Sequence, residues 1–153
     1  EGTTGIQALD LLGRKILRDG RGMEVLAQRI AQTSRNADAL DELRDAADAL
    51  RVALALVQST IEAVRALPSS RRLDNAAQFQ TAFGFVVVAW IWLDQAVTAQ
   101  ALPASSSTDS TLRAGKVATC RSFFASELPM AAPLLAQVAS GCDITQTADP
   151  AQF

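Results

Sequence analysis

The sequence predicts an all-α protein, an antiparallel up-down helical bundle of four main helices plus a short one. The composition is the first indication: 49% of the 153 residues are apolar, many of them alanine and leucine, and only 5% are aromatic. Such a composition favours helices over strands. The second indication is that every periodic apolar pattern has a helical spacing of three to four residues. A chain of this length can bury a sufficient core as one compact domain.

The first helix is predicted over Thr4 to Asp19. Thr4 at the N-cap with Gln7 three residues later fits a capping box. Gly20 and Gly22 supply a stop. The predicted apolar stripe consists of Ile6, Leu9, Leu12 (or Gly13) and Ile16.

A second, shorter helix is predicted over Met23 to Thr33, with Val25, Leu26 and Ile30 facing inward. Asn36 is the expected cap of the third helix, which ends at Pro68. The third helix carries a heptad seam formed by Leu40, Leu43, Ala47, Leu50, Leu54, Val57, Ile61 and Val64. A second seam beside it is formed by Ala46, Ala49, Ala53, Leu56, Thr60, Ala63 and Leu67. Two adjacent seams predict contact with at least two neighbouring helices.

The fourth helix is predicted from about Leu73 to Leu102. Within it, the nineteen residues from Asn75 to Leu93 carry no charge, which is the length of a membrane span. Polar side chains inside this stretch and acidic flanks at Asp74 and Asp94 favour a buried helix of a bundle, so no membrane span is predicted. One apolar stripe contains Phe79, Phe83, Val86, Trp90, Leu93 and Val97, and a second contains Phe85, Val88 and Trp92. Trp90 is expected to be buried within the chain.

The fifth helix is predicted to start near Asp109 or Ser110 and to continue, with a kink or break at Pro129, as far as Gly141. Its candidate inner face consists of Leu112, Val117, Cys120, Phe124 and Leu128. The polar residues 143–153 are predicted to form a flexible tail.

Charge and residue types exclude several classes of site. The chain has no histidine, which removes His-containing triads and metal sites, and no metal site is predicted. Its net charge of −2 argues against a nucleic-acid partner. The two cysteines, Cys120 and Cys142, indicate reduced thiols in a cytoplasm, with a single disulfide as the alternative. Cys120 lies on an apolar stripe, which is typical of a core residue rather than a nucleophile.

Two polar groupings look at first like candidate sites. Asp38, Asp41, Glu42, Asp45 and Asp48 interleave with Arg44 and Arg51 on one side of the third helix. This pattern is typical of a solvated helix face. Gly13-Arg14-Lys15 suggests a phosphate contact, but the glycine-rich loop that would cradle a phosphate is missing.

The opening stretch "EGTTGIQ" resembles the segment of acyl-CoA dehydrogenases in which a catalytic glutamate is followed by Gly-Thr and then a helix. Its continuation "ALDLLGRK" looks like the subgroup that carries an extra C-terminal helical domain. The later stretches "FGFVVVAWIWL" and "KVATCRSFFASELPMAAPLLAQV" are similar to the same subgroup in composition and order. The resemblance implies that the chain is the C-terminal region of a larger flavoenzyme.

The resemblance also implies a role for each residue of the motif. Glu1 matches the general base that removes the α-proton of an acyl-CoA thioester. Gly2 matches a residue that lines the acyl-CoA, and Thr3 and Thr4 match positions that contact FAD. Gly5 stands where many relatives have glutamine, so a side-chain contact from that position is not carried over.

The domain division that follows has three parts. Residues 1–22 would be the end of the dehydrogenase helical domain, residues 23–142 the extra helical bundle and residues 143–153 the tail. The implied partners are an acyl-CoA substrate, the rest of the dehydrogenase and further copies in a homo-oligomer, and this fragment alone is expected to be inactive and free of FAD. The alternative is a free-standing helical module for interaction or oligomerisation, with no catalysis.

Overall fold

The computed structural model describes residues 3–103 and 107–141, and all regular structure within these ranges is helical. This confirms the predicted all-α helical bundle. The α-helices are α1 (Thr4–Leu9), α2 (Arg21–Asp38), α3 (Arg44–Ala66), α4 (Ala76–Ala101), α5 (Ser107–Ser126) and α6 (Ala131–Ser140). A π-helical segment, Asp10–Asp19, continues α1, and short 3₁₀ turns at Asp41–Leu43 and Leu128–Met130 precede α3 and α6. The predicted tail and Cys142 lie outside the described residues.

Helix α4 lies at the centre of the bundle and contacts each of the other five α-helices. Its buried positions are Ala76, Phe79, Ala82, Val86, Ala89, Leu93, Ala96 and Ala99. The many alanines allow the neighbouring helices to approach closely, as dense core packing requires. By length and composition, α4 is also the one described helix that could cross a membrane, although 33% of its most apolar window is buried inside the bundle.

Helix α3 confirms the predicted heptad seam. The fully buried members are Leu43, Ala47, Leu50, Val57, Ile61 and Val64, while Leu40 and Leu54 are half-buried. The second seam is only partly buried, since Ala53 and Thr60 face the core but Ala49 and Leu56 are exposed. The helix therefore contacts α2 and α6 along its buried side and presents one apolar edge to solvent.

Helix α2 is longer than the sequence predicted. It spans 18 residues and passes through Asn36, which is therefore not the cap of the next helix. The predicted inward position of Val25 is also wrong, because its side chain is 50% exposed. The helix continues because no Gly or Pro follows Thr33 before its end and because Ala37, at 0% exposure, fixes its last turn in the core.

In the helix that opens the chain, both the N-terminal cap and the buried face differ from the prediction. It begins after Thr3, no side-chain cap bond forms, and the predicted capping box is therefore wrong. Its buried residues are Ala8, Leu12 and Ile16, whereas Ile6 is 68% exposed and Leu9 is 46% exposed. The amide of Gly20 donates to the carbonyl of Lys15 at 3.0 Å, which is an i→i+5 bond. Such bonds widen the turn beyond 3.6 residues, so side chains spaced by four remain on one face.

The last two helices follow the prediction with one exception. Val117, Cys120 and Leu128 are buried and Phe124 is half-buried, but Leu112 is 56% exposed and does not face the core. Pro129 lies in the 3₁₀ turn that separates α5 from α6. Gly141 ends α6 at a positive φ of 60°, which is the left-handed conformation expected of a glycine stop.

Candidate functional site

The described part of the predicted site is the surface turn that begins α1. Thr3 occupies the N-cap position, Thr4 is the first helical residue, and both side chains are exposed. Neither hydroxyl makes a hydrogen bond that caps the helix. Glu1 and Gly2 lie outside the described residues. The structure therefore leaves two adjacent hydroxyls accessible to a ligand at this turn.

The backbone of the same turn is also oriented to donate hydrogen bonds. The carbonyl of Thr3 accepts a bond from the amide of Gln7 at 2.9 Å, so the amides of Thr4, Gly5 and Ile6 precede the first internal bond. The first turn contains no acidic residue. Amides and hydroxyls of this kind suit the phosphate or hydroxyl oxygens of a ligand.

The basic residues that follow this turn are engaged with a carboxylate. Arg14 donates to Asp10, with its Nη2 atom 2.9 Å from Oδ2, and the Nζ atom of Lys15 lies 3.6 Å from the same oxygen. The hydrogen bond from Arg14 is the main cause of the lowered pKa of Asp10. The basic side chains of Gly13-Arg14-Lys15 are thus part of an exposed ion cluster with Asp10.

A cleft of about 360 Å³ lies beside α1, between this helix and the start of α4. It is lined by Gly5, Ala8, Leu9, Leu73, Asp74, Ala76 and Ala77. Leu73 belongs to the connector between α3 and α4, and it packs so close to Gly13 that a Cβ atom at Gly13 would be 3.4 Å from its Cδ2 atom. Leu73 is still 36% exposed. The one signal for Leu73 in the sequence is that it is the only apolar side chain in the polar stretch "PSSRRLDN".

A second polar constellation joins α2 to α4. The indole Nε1 of Trp90 donates to Thr33 Oγ1 at 2.9 Å, and that hydroxyl donates to Asp94 Oδ1, also at 2.9 Å. Thr33 is only 4% exposed, whereas Trp90, predicted to be buried within the chain, is half-buried against the core. The spacing of Trp90 and Asp94 by four residues places both on one helix face, which was the available signal in the sequence. This chain of bonds fixes α2 against α4.

The remaining residues that the sequence offered as possible site residues form surface ion pairs or lie in the core. Asp38 and Asp48 pair with Arg51, Asp41 pairs with Arg44, and these side chains are on the surface or only partly covered, which confirms the predicted solvated face. Cys120 is 0% exposed, as predicted for a core residue, and burial raises the pKa of its thiol to about 11. A protonated, inaccessible thiol is a poor nucleophile. Across residues 3–103 and 107–141, no group of three or more Cys, Asp or Glu side chains could hold a metal ion.

Comparison with known proteins identifies the bundle. The family described as acetyl-CoA dehydrogenase C-terminal like matches residues 26–149, which is most of the 153-residue chain. The match begins within α2 and continues through α6, so it covers the bundle but not the turn at Thr3 and Thr4. A search of curated proteins found no match. The chain therefore belongs to the acetyl-CoA dehydrogenase C-terminal-like family.

Proposed function

We propose that this chain is the C-terminal helical part of an FAD-dependent acyl-CoA dehydrogenase, an enzyme that introduces an α,β double bond into an acyl-CoA thioester. The observation that carries the proposal is the family match over residues 26–149. The stretch "EGTTGIQ" supports it from a different part of the chain, because it resembles the catalytic-base segment and precedes the matched residues.

In this proposal, Glu1 is the general base. An α-C–H bond next to a thioester is weakly acidic, and a carboxylate can take the proton when the carbonyl is polarised and water is excluded. Exclusion of water raises the pKa of a carboxylate and so increases its affinity for the proton. Gly2, with no side chain, leaves space for the flat thioester beside the base.

Thr3 and Thr4 are the residues that would contact FAD. Their exposed hydroxyls and the leading amides of α1 fit the phosphate or hydroxyl groups of a dinucleotide. When bound, FAD supplies the acceptor for the hydride that leaves the β-carbon. The described residues offer only one edge of such a site, so we expect the chain alone to lack FAD and activity.

Further parts of the proposal concern organisation. We divide the protein into the end of a dehydrogenase helical domain at residues 1–22, the extra bundle at residues 23–142 and a tail at residues 143–153. We also propose a cytoplasmic homo-oligomer whose bundle contributes to assembly or to closure over the site. An exposed apolar edge on α3, with Val52 at 61% exposure and Leu56 at 38%, supports a role in assembly.

The test is a Glu1→Gln substitution in the full-length protein. Glutamine keeps the shape and hydrogen-bonding capacity of the side chain but cannot accept the proton. Loss of a positioned base costs at least about 10²–10⁴ in rate, so flavin bleaching by acyl-CoA in stopped flow should slow by at least that factor while substrate still binds. Glu127→Gln is the matched control, because this exposed glutamate makes no ion pair with another described residue, and its bleaching rate should stay within about twofold.

Two results would contradict the proposal. Bleaching of the Glu1→Gln enzyme at the parent rate would show that Glu1 is not the base. A reading frame that encodes no further residues before Glu1 would favour the alternative, a free-standing helical module.

A further inference from the structure

A cleft of about 250 Å³ lies between α3, the end of α5 and the start of α6. The side chains that line it include Val52 and Leu56 of α3, Phe124 of α5 and Leu135 of α6, and every described residue that lines it is apolar. Val52 is 61% exposed and Leu56 is 38% exposed, so the cleft is open to solvent. We call it the α3–α6 cleft. Exposed apolar area that is gathered in one groove is typical of a surface that another segment covers.

Residues 142–153 leave the bundle close to this cleft. Helix α6 ends at Gly141, where the side chain of Leu67 packs against the glycine and Arg71 donates a hydrogen bond to its carbonyl. These contacts fix the point at which the chain leaves α6 beside the end of α3. Leu135, in the cleft, lies six residues before Gly141, which is about 9 Å along the helix at 1.5 Å per residue.

The surface of α6 between the cleft and Gly141 carries small side chains. Ala132 lines the cleft, and Ala136 and Ala139 follow it at helical spacing on the same side of the helix. Ala136 is exposed and Ala139 is half-buried. Side chains of this size leave room for an extended backbone to lie against the helix between Gly141 and the cleft.

We propose that residues 142–153 fold back along α6 and that the side chain of Ile144 fills the α3–α6 cleft. Ile144 is the first large apolar residue after Gly141. An extended chain advances about 3.3 Å per residue, so the steps from Gly141 to Ile144 span about 10 Å. This reach matches the distance of about 9 Å from Gly141 back to Leu135. The inference concerns the bundle alone and does not rest on the proposed catalytic function.

The family match and the local sequence support this segment as the occupant. The match continues to residue 149, so residues 142–149 belong to the same matched region as the helices of the bundle. Asp143 and Thr145, the neighbours of Ile144, are both polar. Because successive side chains of an extended segment point to opposite sides, Ile144 would face the cleft while its two neighbours face solvent.

Two other occupants compete for the cleft. A second copy of this chain would use the same edge of α3 that supports assembly in the proposed function, and the rest of the dehydrogenase would cover it from outside the bundle. Either of them would cover the cleft without a contribution from Ile144. Substitution of Ile144 therefore distinguishes the proposed occupant from both.

Cysteine labelling of the full-length protein measures whether the cleft is covered. Leu56→Cys on the α3 wall and Ala132→Cys on the α6 wall are introduced separately, each with and without Ile144→Asp. Thr145→Asp is the matched control, because it adds the same charge at the neighbouring position without removing an apolar side chain. Val25→Cys reports on the fold, since Val25 is 50% exposed and lies on α2, which does not line the cleft. Each protein is labelled with a maleimide, and mass spectrometry of the peptide that carries the new cysteine gives the rate.

The expected result is faster labelling at both walls when Ile144 is replaced by a charge, because a charged side chain is costly to bury in an apolar site. Leu56→Cys and Ala132→Cys should label at least about tenfold faster with Ile144→Asp, which corresponds to about 1.4 kcal/mol in the equilibrium between covered and open clefts. Thr145→Asp should change these rates by no more than about twofold, and Val25→Cys should label equally in all proteins. Ile144→Val, which keeps an apolar side chain, should retain the slow labelling.

Two results would overturn the inference. Fast labelling of both walls whether or not Ile144 is replaced would show that the cleft is open and that residues 142–153 are free of it. Slow labelling that Ile144→Asp leaves unchanged would show that another occupant covers the cleft, and a rate that falls further as the protein concentration rises would identify that occupant as a second copy.

Discussion

The bond chain from Trp90 through Thr33 to Asp94 gives the most direct test of how the bundle is held together. Thr33→Val keeps the shape of the side chain but removes the hydroxyl, so Trp90 loses its acceptor and Asp94 loses its donor. A neutral hydrogen bond contributes about 0.5–1.5 kcal/mol and one to a charged group about 1.5–3 kcal/mol. Asp94 is exposed, so water can replace the bond that it loses, and we take a smaller contribution for the bond between Thr33 and Asp94. The expected loss in the free energy of unfolding is therefore about 2 kcal/mol.

A double-mutant cycle isolates the bond between the indole and the hydroxyl. Trp90→Phe removes the N–H donor, and the pair Trp90→Phe with Thr33→Val should show a coupling free energy of about 1 kcal/mol in urea unfolding. The single Thr33→Val change should lower Tm by about 4–8 °C, because 1 kcal/mol corresponds to about 2–4 °C at this chain length. Full truncation, Trp90→Ala, should cost about 3 kcal/mol, the low end of the range for core aromatic residues, since the ring is only half-buried.

The control for this cycle is Thr119→Val. Thr119 is exposed on α5, and its hydroxyl bonds only to the carbonyl of Gly115 within the same helix. It should change the free energy of unfolding by no more than about 0.5 kcal/mol. A coupling near zero, with Thr33→Val no worse than Thr119→Val, would refute the reasoning that this chain of bonds joins α2 to α4.

Two further predictions concern Cys120 and Gly141. Burial raises the pKa of Cys120 from 9.0 to about 11, so the contribution of the protonated thiol to the free energy of unfolding is complete below pH 9 and is lost as the pH rises to 11. Urea unfolding should show a loss of roughly 2–3 kcal/mol over this interval, and most of this loss should disappear in Cys120→Ala. An equal dependence of the free energy of unfolding on pH in both proteins would contradict the pKa shift. Gly141→Ala should lower the free energy of unfolding by about 1–3 kcal/mol in thermal unfolding, because φ is 60° and the new Cβ would be 2.9 Å from Leu67 Cδ2. Gly115→Ala is the control, because its Cβ would enter open space within a helix, and it should raise the free energy of unfolding by about 0.5–1 kcal/mol.

The helices that the sequence predicts well are those whose spacing alone determines the buried face. The heptad seam of α3 consists of apolar residues at helical intervals, and six of its eight members are buried. The stripe predicted for α4 is buried at Phe79, Val86 and Leu93 and half-buried at Phe83, Trp90 and Val97. Neighbouring helices need no further information to cover them, because burial of apolar area is not directional. Local spacing was therefore sufficient for the fold class and for the central helices.

The errors occur where spacing and local signals compete with tertiary contacts. Asn36 has the residue type of a cap, but Ala37 in the following position is buried, and packing carries α2 past it. Ile6 and Leu9 fit an α-helical stripe with Leu12 and Ile16. Because residues Asp10–Asp19 are π-helical, however, the residues that face the core are spaced by four: Ala8, Leu12 and Ile16. A π-helical segment has no strong signature in the sequence, since it depends on how the ends of the helix are held.

Only part of the candidate site was predictable from the sequence, because some of its residues are brought together by the fold of a connector. Thr3 and Thr4 were selected by resemblance, and the structure places both at an exposed helix start, where their hydroxyls are accessible. Leu73 was not selected, because its position beside α1 depends on the fold of the α3–α4 connector rather than on its neighbours in the sequence.

Exposure of Thr3 and Thr4 also determines what the proposed site requires for chemistry. Removal of an α-proton by a carboxylate needs a dry environment, in which the pKa of the base is raised and competing water is excluded. A turn with two exposed hydroxyls cannot exclude water by itself, so a second surface has to cover it. The exposed side chains of Ile6, Leu9 and Leu73 lie on the same helix or against it, and apolar area of this kind is what such a second surface would bury. In the enzyme that we propose, the rest of the dehydrogenase would supply that surface, and slow flavin bleaching by the Glu1→Gln protein is the result expected if Glu1 is the base of such a covered site.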